Sequence, residues 1–135
     1  MSDSSPADLL DLARRVGTAA AENVARLRPA GRVDVADTKS SATDAVTAID
    51  RASEDFIRAR LLDARPDDTI VGEEGEDHAG TSEVSWLVDP IDGTVNFIYG
   101  IPAYAVSIAA SIGDDVVAGY VVNVVSGESW GAFRG

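Results

Sequence analysis

The chain has 135 residues, 45% hydrophobic and 25% charged, with 11 basic residues against 23 acidic ones, a net charge of −12 and no cysteine. That length holds one domain with a core rather than two ordinary ones, and the composition is ordinary for a folded globular chain. The acidic excess argues against a basic nucleic-acid footprint, and the missing cysteines exclude disulfides, zinc–thiolate sites and thiol nucleophiles. A surface of this sign also repels an anionic substrate unless bound cations invert the local charge. Met1–Ser5 lacks basic residues followed by an apolar run, so no signal peptide is expected. No stretch approaches the roughly 18 uninterrupted apolar residues of a membrane span, and a cytoplasmic setting is expected. Lys39 is the sole lysine.

Ser5-Pro6 is a helix start, a capping hydroxyl followed by a proline whose missing N–H does no harm there. Leu9, Leu10, Ala13, Val16, Ala20, Val24 and Leu27 recur at helical spacing up to Pro29, which predicts a helix over 6–28. Residues 31–43 are polar and mixed, a predicted loop holding Lys39-Ser40-Ser41. A second helix is predicted over 45–64, with Val46, Ile49, Phe56, Ile57 and Leu61 apolar, Asp50 and Glu54 on one face, and Arg65-Pro66 as its stop. The period then changes. Thr69–Val71 and Ser85–Val88 read as short strands joined by an acidic loop, Glu73–Glu83. Ala103–Ile112 and Val116–Val125 read as longer strands covered on both faces, joined by a hairpin at Gly113-Asp114-Asp115. Ser129–Phe133 begins a further strand. Two helices followed by five strands predict an α+β arrangement, helices packed on a mainly antiparallel sheet. A strand at the end of a chain leaves an edge or expects a neighbour, so residues 1–135 read as one domain of a longer architecture.

Two acidic knots close apolar runs. Gly72-Glu73-Glu74-Gly75 follows Thr69-Ile70-Val71, and Asp89-Pro90-Ile91-Asp92-Gly93-Thr94 follows Trp86-Leu87-Val88. Carboxylates at two strand ends suit hard divalent cations, which take oxygen ligands and keep water and substrate phosphate in their shells. In this geometry Asp89 bridges two cations, Pro90 restricts the turn, and the Ile91 carbonyl points inward as a further ligand. Asp92 faces the second cation, and Glu73 reaches both from the neighbouring strand. Gly93 permits close approach of phosphate to main-chain N–H groups, most favourably if a helix starts there. Two metals about 4 Å apart clamp the attacking and leaving oxygens of an in-line displacement. Thr94 is expected to hold the attacking water with Asp50 as its partner. Taken singly, each element has a plainer reading: Asp-Pro and Asp-Gly-Thr as turns, Glu73-Glu74 as a solvated loop, Asp50 as an exposed helix residue. His78 is read as solvated and not as a ligand. Trp86, Phe97, Tyr99 and Tyr104 are read as core and rim packing.

The combination is specific. Lys39-Ser40-Ser41, Val46-Thr47-Ala48-Ile49-Asp50, Gly72-Glu73-Glu74 and Asp89-Pro90-Ile91-Asp92-Gly93-Thr94-Val95-Asn96-Phe97, continuing through Ile98 to Ile108, resemble the inositol monophosphatase family, in the manner of its bacterial inositol-1-monophosphatases. The resemblance runs over essentially the whole chain from the first helix. It implies the first half of a layered αβαβα sandwich and a Mg²⁺-dependent, lithium-inhibited hydrolase acting on a small-molecule phosphomonoester. Inositol monophosphate is the favoured substrate; histidinol phosphate, fructose 1,6-bisphosphate and a 3′-phosphoadenosine nucleotide are alternatives. It implies Glu73, Asp89 and the Ile91 carbonyl as ligands of a first metal, Asp89 and Asp92 of a second, and Glu73 as helping with a third. Thr94 with Asp50 would position the water, Asp92 and the Gly93-Thr94 backbone would meet substrate, and Lys39 falls in a loop that closes over the metals. Relatives are usually dimers, so a homodimer is expected, with no direct nucleic-acid binding. Family members continue into a second half whose Trp-Asp motif completes the second metal; this chain lacks it. An N-terminal, metal-binding half that binds the first metal weakly and hydrolyses little alone is therefore expected. The competing expectation is a non-catalytic oligomerising or protein-partner module, as some relatives act in transcription complexes.

Overall fold

A computed structural model describes residues 5–28, 42–72 and 77–135, without the side chains of residues 42–46, 95 and 98. The predicted loop around Lys39 and the Glu73-Glu74 knot lie outside the described residues. The first helix, α1 (Pro6–Leu27), starts as its sequence dictates: Ser5 Oγ accepts from the Asp8 N–H at 3.2 Å, with Pro6 in the first turn. Its buried face is Leu9, Leu10, Leu12, Ala13, Val16, Ala20, Ala21 and Val24, while Leu27 is largely exposed. The second helix, α2 (Ala42–Ala64), begins three residues earlier than its apolar spacing predicts.

Five strands follow: β1 (Thr69–Gly72), β2 (Val84–Asp92), β3 (Ala105–Ile112), β4 (Asp115–Asn123) and β5 (Ser129–Phe133). They form one sheet in the order β1-β2-β3-β4-β5, parallel between β1 and β2 and antiparallel elsewhere, so the α+β expectation holds. The Gly113-Asp114 turn joins β3 to β4 with Gly113 at φ +59°. Strand β2 runs on through the whole Asp89–Asp92 motif, further than its apolar run predicts. A short helix, α3 (Thr94–Tyr99), was not among the predicted elements. Its six residues are too few to show a period. It is bounded instead by Gly93 and Gly100, both left-handed, with the Gly100 and Ile101 N–H groups closing onto Phe97 and Asn96 carbonyls.

Both long helices pack on one face of the sheet, α1 over β3 and β4 and α2 over β2. The core between the layers includes Ile57, Leu61, Ile70, Trp86, Ile108 and Tyr120. Among the described residues β3 and β4 are fully covered on one face and partly covered on the other. Val106, Ile108 and Ala110 of β3 are buried and alternate with half-buried Ala105, Ser107 and Ala109, the pattern of a sheet packed on one side. On that second face Leu87 is 42% exposed.

Below β1, Asp68 is 2% exposed and ties four segments together. Its carboxylate accepts from the Trp86 indole N–H (2.8 Å), the Ser82 hydroxyl (2.7 Å) and Arg65 Nε. Ile70 and His78 exchange backbone N–H···O bonds of 2.9 Å, and His78 Nδ1 lies 3.3 Å from the Asp68 carbonyl. His78, expected to be merely solvated, is half-buried, and it closes the base of the acidic loop through its main chain.

Candidate active site

The Asp89–Asp92 motif interrupts the β2–β3 ladder. Asp89 pairs with Ser107 and Asp92 with Ala105, so three steps along β2 match two along β3 and one residue is extra. This is a β-bulge, and Pro90 is suited to it because proline has no N–H to give a ladder. The bulge changes the alternation of the strand: Pro90 and Ile91 are both buried, Asp89 is half-buried and Asp92 is exposed. Gly93 then takes φ +92° and Thr94, half-buried, opens α3. A Cβ on Gly93 would stand 2.8 Å from the Ala103 carbonyl oxygen, so the turn is closed against the backbone entering β3.

Asp89 faces the half-open side of the sheet. With Val71, Gly72, Leu87, Val88, Ser107 and Ala109 it lines a shallow cavity of about 330 Å³. Strand β1 ends there, Gly72 opposite Val88, one position before Asp89 in the parallel register. The next residue in sequence is Glu73, outside the described residues, as is Lys39.

Helix α2 brings an unexpected polar set to the same strand ends. Asp50, read as exposed when taken alone, is 5% exposed; Ser53 and Glu54 are 0% and 1%. Ser53 Oγ donates to the Pro90 carbonyl at 3.3 Å inside the bulge. Glu54 pairs with Arg58, Oε2 to Nη2 at 2.8 Å, and its carboxylate lies where a Cβ on Gly72 would come within 2.5 Å. Sequence reasoning noted Glu54 beside Asp50 but gave no role to it or to Ser53. The available signal was their spacing, since residues 50, 53, 54, 57 and 61 form one helical stripe that ends in core Ile57 and Leu61. Helix α3 touches α2, so Asp50 and Thr94 sit on adjoining elements.

A second overlooked residue is Arg28, at the end of α1. Its guanidinium donates twice to the Phe97 carbonyl of α3, from Nε at 3.0 Å and Nη2 at 2.6 Å, and lies 5.1 Å from the Phe97 ring centre. Phe97 and Tyr104 meet edge to face at 5.0 Å, in the core as expected, and Tyr99 is exposed.

The donor chemistry suits a hard divalent cation. Asp89 and Asp92 offer carboxylates on either side of a bulge, and one oxygen each of Asp50 and Asp89 is shut off from solvent. Among the described residues no three His, Asp or Glu side chains are grouped closely enough to hold a metal. Two of the three carboxylates read as ligands are described, Asp89 and Asp92, and they share one strand. Among the described residues no helix is long and apolar enough to cross a membrane.

Two helices on a mixed, mostly antiparallel sheet, with aspartates flanking a bulge at a strand end, make up a fold shared with solved inositol monophosphatase-fold proteins. The chain belongs to the inositol monophosphatase family: the family's model matches residues 5–135, and the family is one of metal-dependent phosphatases. The inositol-1-monophosphatase SuhB of Mycobacterium tuberculosis (strain H37Rv) is 50% identical over 102 residues, covering 72% of this chain and 35% of that protein. The Nus factor SuhB of Pseudomonas aeruginosa is 39% identical over 131 residues, covering 94% of this chain and 48% of that protein. The solved structure of Mycobacterium tuberculosis SuhB superposes with a TM-score of 0.79 at 42% identity, over 97% of this chain and 46% of that one. The chain thus spans half or less of the length of these relatives.

Proposed function

We propose that this chain is the metal-binding half of a Mg²⁺-dependent phosphomonoesterase that hydrolyses inositol monophosphate or a related polyol phosphate. One observation carries this function: the two aspartates flank a proline-containing bulge and run directly into the left-handed Gly93 and the Thr94 that opens α3. Glu73, Asp89, Asp92 and the Ile91 carbonyl would hold the metals. Bound there, Mg²⁺ supplies Lewis acidity and lowers the pKa of a coordinated water. The chain's own groups do the rest. The Thr94 hydroxyl holds the attacking water, and Asp50 orients that hydroxyl by accepting its hydrogen bond. The Gly93 and Thr94 main chain and Asp92 receive the substrate, and Lys39 belongs to a segment that covers the metals. Family membership alone supports lithium inhibition, a cytoplasmic setting and a homodimer.

A protein-partner role in transcription is the second reading, favoured by the Nus factor named above, which matches nearly all of this chain.

The test is Mn²⁺ binding to the purified chain, followed by electron paramagnetic resonance, beside phosphate release from inositol 1-phosphate with Mg²⁺. Saturable Mn²⁺ binding that Asp89→Asn and Asp92→Asn remove is the expected result. Any phosphate release, however slow, is expected to vanish in the same variants. Equal Mn²⁺ binding by the parent and Asp89→Asn would refute the assignment.

A further inference from the structure

Helix α3 is too short to hold itself. Its six residues fall below the roughly 12–15 at which a helix becomes even marginally stable in water, so its direction has to come from what it touches. Its first end is held locally. The Phe97 N–H donates to the Gly93 carbonyl at 3.0 Å, and Asn96 Nδ2 donates to the Ala103 carbonyl at 2.9 Å, all within the chain that joins β2 to β3. The Phe97 ring, fully buried, sets how the helix is turned about its axis. Neither contact fixes the tilt of the axis, which needs a hold at the second end.

That hold comes from Arg28, 69 positions away in sequence. Arg28 is where α1 stops: its backbone is extended (φ −80°, ψ 127°), and its own N–H closes α1 on the Val24 carbonyl at 3.0 Å. Its side chain crosses to α3 and donates to the Phe97 carbonyl from Nε at 3.0 Å and Nη2 at 2.6 Å. The guanidinium carbon lies 5.1 Å from the Phe97 ring centre and 5.9 Å from that of Tyr104. The Phe97 carbonyl belongs to the last turn of α3, where carbonyls lack intrahelical partners and a cation is favourable. The Gly100 N–H reaches it only at 3.4 Å. Arg28 is thus a cap supplied by another helix. Helix α1 is itself fixed, with Ala20, Ala21 and Val24 buried and Thr18 Oγ1 3.1 Å from the Tyr120 hydroxyl of β4. Thr94 opens the helix that Arg28 caps, so any tilt of α3 turns the Cα–Cβ bond of Thr94 with it.

We propose that Arg28 is a positioning residue for Thr94: from the end of α1 it fixes the tilt of α3, and so the direction in which Thr94 presents its hydroxyl. A catalytic group has to be held within about 10–20° of its productive direction, which a helix pinned at one end does not ensure. This rests on the reading of Thr94 as the holder of the attacking water, and the experiment separates the two. Backbone ¹⁵N relaxation and threonine ¹³C-methyl spectra are recorded on the full chain and on Arg28→Met, Arg28→Lys, Arg26→Met and Trp86→Phe, each at a temperature where its circular dichroism is native. In the parent the Thr94 N–H order parameter is expected near 0.85; in Arg28→Met it is expected below about 0.6, with a displaced Thr94 methyl resonance. Arg28→Lys keeps the cation and a donor but loses the planar fork, so it is expected to lie between them, and it decides the matter should Arg28→Met fail to fold. Arg26, exposed in the last turn of α1, controls for loss of charge, and Trp86, at the far end of β2 from α3, for loss of stability. Both control variants are expected to leave Thr94 parent-like. A parent-like Thr94 in the Arg28 variants would overturn the proposal. So would an equal change at Thr94 in Trp86→Phe, since the effect would then be stability alone. Thr94→Val tests the reading beneath: phosphate release from inositol 1-phosphate that survives this substitution would overturn the water-holding role while leaving the hold of Arg28 on α3 standing.

Discussion

Replacing Gly93 by alanine tests the turn that delivers Thr94 to the site. Gly93 has φ +92°, and an added Cβ would lie 2.8 Å from the Ala103 carbonyl oxygen and 3.4 Å from Tyr104 Cα, both backbone atoms that cannot step aside. Gly113 supplies an internal control: its φ is +59° but nothing lies within 4 Å of its added Cβ. Placing an L-residue in the left-handed region costs about 1–2 kcal/mol, and both variants incur it. Both also gain about 0.4–1 kcal/mol from a less flexible unfolded chain. Only Gly93→Ala adds overpacking against fixed atoms, worth about 1–3 kcal/mol. The difference between the two variants is therefore predicted at about 1–3 kcal/mol, with Gly93→Ala the less stable. Urea unfolding followed by circular dichroism measures it directly, because the two substitutions expose the same surface and should share an m-value. Equal stability of Gly93→Ala and Gly113→Ala would refute the argument that the turn is closed against β3.

Two further outcomes follow from buried hydrogen bonds. Trp86→Phe removes the indole N–H that Asp68 accepts at 2.8 Å and leaves a buried carboxylate short of one donor. A loss of about 1–3 kcal/mol is expected in the same urea assay, and a loss of under about 0.5 kcal/mol would mean that Arg65 and Ser82 already suffice for Asp68. Arg28→Met keeps most of the side-chain volume but withdraws both donors from the Phe97 carbonyl. It is expected to cost about 1–3 kcal/mol and to raise amide exchange in α3 selectively, read by hydrogen exchange with mass spectrometry. Uniform faster exchange across the sheet would instead mark Arg28 as a general packing residue.

Much of the scaffold was legible before any coordinates. Ser5-Pro6 and the Leu9-to-Val24 stripe specify α1 because capping and a period near 3.6 are local properties. The Gly113-Asp114 hairpin is equally local. The order of the acidic knots was visible too, because each closes an apolar run. Helix α3 was not, since six residues between two left-handed glycines carry no period. Nor was the extent of β2, whose last residues hold their place in the sheet through pairing of Asp92 with Ala105 across a bulge.

What the sequence by itself determined was the list of chemical groups and their spacing: carboxylates of Asp89 and Asp92 around a proline, Glu73 after a strand, and Asp50 on a helix. Which of these are buried, and against what, was decided only by the tertiary structure. Asp50, Ser53 and Glu54 lie inside because α2 packs against the ends of β1 and β2, strands that follow the helix in sequence and pair with each other in the sheet. The spacing in α2 puts Asp50, Ser53 and Glu54 on the stripe that leads to core Ile57 and Leu61, but burial is a property of contacts between distant segments, and only the tertiary structure presses Glu54 against Gly72.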